Sequence, residues 1–130
     1  MEINWKHKPQ TKLSPTPGHS VLIRDFDYSS ERLGGDITIP APFSFDWDSV
    51  PRLPIVYMLL KGRARVAALI HDDLYARQPV SRRVADLVFL DAMKAEGVSF
   101  RHRWLKFLGV RLGGWVAWIR NRKKRQEGRA

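Results

Sequence analysis

Four side chains near the middle of this 130-residue chain have the types and spacing for proton-transfer chemistry. His71, Asp72 and Tyr75 lie in Ala67-Ala68-Leu69-Ile70-His71-Asp72-Asp73-Leu74-Tyr75, and Asp86 lies in Val84-Ala85-Asp86-Leu87-Val88-Phe89-Leu90. Read as helices, both stretches carry a polar group inside an apolar stripe. His71 has Ala67, Ala68, Leu74 and Tyr75 three or four residues away, and Asp86 has Phe89, Leu90 and Met93 along its own face. A carboxylate facing an imidazole in such a place fixes the tautomer of the ring and raises its basicity, as a general base requires. The same two residues also suit a purely architectural role. A buried polar pair sets the register of two helices, because burying either group alone is costly.

The elements that must position these groups can be read from their flanks. Between the two stretches lies Ala76-Arg77-Gln78-Pro79-Val80, in which Pro79 stops a helix, and Ser81 is placed to cap the next one. Two neighbouring antiparallel helices are expected, about residues 63–76 and 81–96. His71 and Asp86 then stand about five residues on either side of the turn, so at roughly 1.5 Å of rise per residue each is about 7.5 Å from it, at the same level. Upstream, the alternation in 21–28 and again in 36–40, around Gly34-Gly35, predicts a short β-hairpin. Residues 53–60 form an apolar run that Gly62 ends. Downstream, Gly97 and Ser99 mark a stop and a new start. A last amphipathic helix runs from about Phe100 to Arg120. The fold class expected is α+β, mostly α, with residues 1–20 as an extended arm, 21–119 as one globular domain and 120–130 as a basic tail.

Composition narrows the chemistry. There is no cysteine, so disulfides and thiolate metal sites are excluded and any cation must be held by oxygen or histidine. Asp46 and Asp48, two apart in a proline-broken loop, suit either a hard cation or a turn and helix cap. The net charge of +10, from 23 Lys and Arg against 13 Asp and Glu, favours anionic partners. That charge concentrates at the C-terminal end, in Arg120, Arg122, Lys123, Lys124 and Arg125. The helix before it carries Trp115 and Trp118 and is too interrupted by Lys106, Arg111, Gly113 and Gly114 to read as a membrane span. Its apolar stripe either closes the core over the helix pair or lies on a membrane or partner surface. The first residues, Met1-Glu2-Ile3-Asn4-Trp5-Lys6, do not read as a secretory signal.

Two resemblances attach to these residues. His71-Asp72-x-x-Tyr75 followed by Ala85-Asp86-x-x-Phe89 resembles the helix pair of phospholipases A2, especially the cysteine-free domain of parvovirus capsids. The resemblance implies His71 as general base, Asp86 as its holder, Tyr75 in support and Asp72 as a ligand of calcium. Those enzymes take further calcium ligands from a glycine-rich loop upstream; no such loop is recognisable here, and the loop with Asp46 and Asp48 would have to stand in for it. More of the chain, about residues 35–93, is similar to a small family of uncharacterised proteins encoded by tailed bacteriophages and prophages. Its motifs here are Gly35-x-Ile37-x-Ile39-Pro40-x-x-Phe43, Asp46-x-x-Ser49-Val50-Pro51-Arg52, His71-Asp72-x-Leu74-Tyr75 and Arg83-x-Ala85-Asp86-x-x-Phe89-x-x-Ala92-Met93.

Two functions are therefore expected to compete. One is a phage-encoded hydrolase of lipid or another ester at a membrane, with Ca2+ as its implied cofactor and anionic lipid as its partner. The other is a tail or baseplate component that docks other virion proteins or further copies of itself, with His71 and Asp86 only locking the core. The expected location is the host cytoplasm, or the virion in the second case. Nucleic acid is not expected as a specific partner.

Overall fold

In a computed structural model of the chain, residues 1–13, 19–46 and 65–128 are described. Asp48 and the apolar run 53–60 lie outside them. The expected β-hairpin is present as β4 (Phe26–Ser30) and β5 (Gly35–Ile39), paired antiparallel with Phe26 opposite Ile39 and Ser30 opposite Gly35. Gly34 closes its turn with a φ of 88°, a left-handed conformation that glycine adopts without a Cβ penalty. Period-2 alternation then buries Phe26, Tyr28 and Ser30 and leaves Asp27 exposed.

Residues 21–28 are not one strand. The chain breaks at Asp25, whose carboxylate accepts the backbone N–H of Ala41 at 2.8 Å. Val21 and Leu22 thus belong to β3 (His19–Leu22) in a second antiparallel sheet, between β2 (Thr11–Leu13) and β6 (Phe43–Asp46). The stretch expected to be an extended arm is stitched into both sheets. β1 (Ile3–Asn4) extends the first one beside β4, with Ile3 buried and Trp5 tilted against Phe26 at 6.5 Å.

The helix pair runs as α1 (Arg65–Arg77) and α2 (Arg82–Ala95). Ser81 Oγ caps α2 by accepting from Val84 N at 3.3 Å, and Gly97 ends it at a φ of 83°. α1 is central: it packs on β6, α2 and the last helix, and Val66 to His71 are buried without a break. A helix enclosed on so many sides keeps only a narrow solvated edge, and its second carboxylate, Asp73, is buried. Arg77, one turn on, donates to it twice, at 2.8 and 2.6 Å, and reaches the Thr38 carbonyl of β5 at 3.2 Å. The first turn of α1 is capped from across the hairpin, where Glu96 Oε1 accepts from Ala67 N at 2.6 Å.

α3 (Phe100–Gln126) continues six residues past Arg120, so the segment expected as a tail is helical as far as Gln126. It packs on α1 and α2 through Val110, with Phe107, Ala117 and Trp118 partly buried against the core. Helices and sheets share one core, in which Leu22, Ile39 and Phe45 meet Leu69, Leu74 and Phe89.

Candidate active site

His71 sits mid-way along α1 and Asp86 one turn into α2. The antiparallel crossing brings Nε2 of the ring to 2.8 Å from Asp86 Oδ1. The same oxygen accepts the Tyr75 hydroxyl at 2.6 Å, which α1 delivers from four residues beyond His71. Asp86 is 0 % exposed, and its second oxygen accepts from Arg111 Nη1 of α3 at 2.8 Å, with Arg82 Nε at 3.9 Å. Arg82 is fixed in turn by the Tyr75 oxygen at 3.3 Å and by the carbonyls of Val110 (2.8 Å) and Arg111. Three helices thus converge on one carboxylate.

Burial alone would raise the pKa of Asp86. Hydrogen bonds from His71, Tyr75 and Arg111 outweigh that, and hold it below the usual carboxylate range. Asp86 is therefore ionised and only accepts, so Nε2 of His71 must donate to it. Nδ1 is then a bare acceptor, buried and without a hydrogen-bond partner among the described residues. The basicity expected to be raised by the carboxylate is lowered instead. His71 is 3 % exposed, and the loss of hydration outweighs the pull of Asp86, with Arg82 opposing protonation further. The ring lies against Tyr75, centroid distance 4.2 Å, and Phe89, 4.6 Å, which leaves its plane little freedom.

Two groups of α3 complete the arrangement. Trp118, on the stripe expected either to close the core or to lie on a surface, meets Tyr75 edge-on at 5.1 Å, and its carbonyl accepts from Gln78 at 2.9 Å. Gly114 lies directly over the tyrosine hydroxyl, where a Cβ would stand 2.5 Å from its oxygen. Arg82, Arg111, Gly114 and Phe89 were not among the expected site residues. Arg82 carried a signal, the i,i+4 spacing to Asp86. Arg111, Gly114 and Trp118 share a face of α3 at three- and four-residue spacing, which the reading of Arg111 and Gly114 as interruptions concealed.

Asp72 is partly exposed and, one residue on from His71, points about 100° round α1 from it. The side chain of Asp46 and all of Asp48 lie outside the described residues. Calcium takes roughly six to eight oxygen ligands. Among the described residues no three His, Cys, Asp or Glu side chains converge, so those residues do not by themselves fit the ion. Trp115, Arg120, Arg122, Lys123, Lys124 and Arg125 are all exposed along α3.

A family model described as a protein of unknown function (DUF1353) matches residues 20–110. The match spans β3 to the first half of α3 and so contains His71, Tyr75, Arg82 and Asp86. No curated protein and no solved structure matches the chain.

Proposed function

The chain belongs to the DUF1353 family of proteins of unknown function, and we propose that it is a phage-encoded hydrolase of lipid or other ester bonds with His71 as its general base. The observation that carries this reading is the state of the ring: Nε2 is held by an ionised carboxylate at 2.8 Å while Nδ1 is a bare acceptor with no partner among the described residues. A proton acceptor kept neutral and orientated in this way is what removal of a proton from water calls for. In the reaction a water gives a proton to Nδ1 as its oxygen attacks the ester carbonyl. Asp86 stabilises the imidazolium that forms, and the proton returns to the leaving alkoxide as the carbon–oxygen bond breaks. Tyr75, Arg82 and Arg111 are positioning residues that hold Asp86.

The burial of His71, at 3 % exposure, favours a second reading, in which the same network locks the core of a non-catalytic virion component. Fatty-acid release from anionic vesicles and hydrolysis of a soluble nitrophenyl ester, each with and without calcium, separate the two. The hydrolase reading expects turnover that His71→Ala abolishes while the variant keeps its helical circular dichroism. A folded wild-type chain that turns over neither substrate in either condition overturns it and leaves the core lock.

A further inference from the structure

α3 has a second apolar face that stands largely exposed. Leu105, Leu108, Leu112, Trp115 and Ile119 follow one another at alternating spacings of three and four, and each is between 44 % and 77 % exposed. At about 100° per residue they form one line, roughly 100° round the helix from Arg111, Gly114 and Trp118, which face the His71 site. A row of large apolar side chains in water is a docking surface far more often than an accident of composition. Its second half, from Leu112 on, lies beyond the segment that the family model matches.

The charges around the row select the occupant. Arg101 stands four residues before Leu105, and Arg122 and Lys123 stand three and four after Ile119, all exposed, so cations close the row at both ends. From Phe100 to Gln126 there is no acidic residue. A second copy laid along this face, parallel or antiparallel, brings cation against cation with no carboxylate on α3 to pair across the seam. Among the described residues no helix is long and apolar enough to cross a membrane. An exposed apolar row with a tryptophan in it, cationic at both ends and free of carboxylates, matches the headgroup boundary of an anionic bilayer.

We propose that the outer face of α3 docks the protein flat on an anionic lipid surface, with Leu105, Leu108, Leu112, Trp115 and Ile119 in the interfacial layer and Arg101, Arg122 and Lys123 on the lipid phosphates. The docking is independent of ester hydrolysis, because the row and the His71 site occupy different faces of α3. Trp118, which packs on Tyr75, takes no part in it.

The test is co-sedimentation of the full chain with vesicles of phosphatidylcholine alone and of phosphatidylcholine with phosphatidylglycerol. Binding is expected to the anionic vesicles, with a blue shift of tryptophan emission that Trp115→Phe diminishes. Leu112→Glu, at a position 77 % exposed and therefore without cost to the fold, is expected to weaken binding about tenfold or more. Absence of binding to anionic vesicles overturns the proposal. So does binding that Leu112→Glu leaves unchanged and that salt abolishes, which makes it a contact of the basic residues alone. Sedimentation velocity supplies the third outcome: a dimer that Leu112→Glu converts to monomer, in a chain that ignores vesicles, assigns the face to a second copy.

Discussion

Gly114→Ala sets two physical effects against each other at one position of α3. Alanine in place of glycine in a helix interior is worth about 1 kcal/mol of stabilisation from propensity. Against it stands the contact geometry: the new Cβ falls 2.5 Å from the Tyr75 oxygen, where ordinary contact begins at 3.4 Å. The oxygen cannot swing away without cost, because it donates to buried Asp86 at 2.6 Å. Either α3 lifts, loosening the Arg111 to Asp86 bond as well, or the tyrosine gives up a hydrogen bond to a charged acceptor. Overpacking costs about 1–3 kcal/mol and such a bond about 1.5–3 kcal/mol. Taking one route and not both leaves a net loss of up to about 2 kcal/mol, opposite in sign to propensity. Urea denaturation followed by circular dichroism measures it, and a double-mutant cycle isolates its cause. In a Tyr75→Phe background the oxygen is gone and Gly114→Ala should become neutral or stabilising. Stabilisation of the wild type by Gly114→Ala, or an equal loss in both backgrounds, would refute the close approach of α3 to Tyr75.

Asp86→Asn keeps the shape of the side chain but puts an N–H2 where one acceptor stood and removes the charge, and so leaves either Arg111 or both His71 and Tyr75 without an acceptor; a loss of about 3–5 kcal/mol is expected in the same denaturation assay, and less than about 1 kcal/mol counts against the network. The pH dependence of stability follows from His71, whose folded pKa is depressed by burial. The unfolded chain then takes up a proton that the folded chain refuses, so this contribution is complete above about pH 6.5 and is lost as pH falls toward the folded pKa, at up to about 1.4 kcal/mol per pH unit. Asp73 and Glu96, whose carboxyls burial pushes up, act in the opposite sense: their contribution is present below the unfolded carboxylate pKa and is lost as pH rises through the folded one. The difference between the wild-type and His71→Gln curves is therefore the quantity to read; curves that stay parallel from pH 7 to 5 contradict the assignment.

The helix pair was legible because its signals are local: Pro79 and Ser81 fix the turn, and counting residues from it places His71 opposite Asp86. The strand pairing of the arm was not, because it is supplied by distant partners. Ile3 and Asn4 are too short a strand to announce themselves, and they exist as one only beside Ser29 and Ser30. Asp73 escaped for a related reason, since a carboxylate that follows His71 and Asp72 reads as solvated until α1 is known to be covered by β6, α2 and α3. The most instructive case is α3. A test for membrane spanning treats Arg111 and Gly114 as flaws in an apolar segment, and the flaws are what the site uses. Arg111 neutralises a carboxylate on another helix, and Gly114 lets the backbone approach a tyrosine hydroxyl. Both interactions depend on where α2 and α1 stand, which no periodicity within α3 encodes. What α3 does encode is that Leu112 and Trp115, next to Arg111 and Gly114 in sequence, point elsewhere. An apolar helix whose polar breaks share one face and whose largest exposed side chains share another is built to serve two neighbours at once.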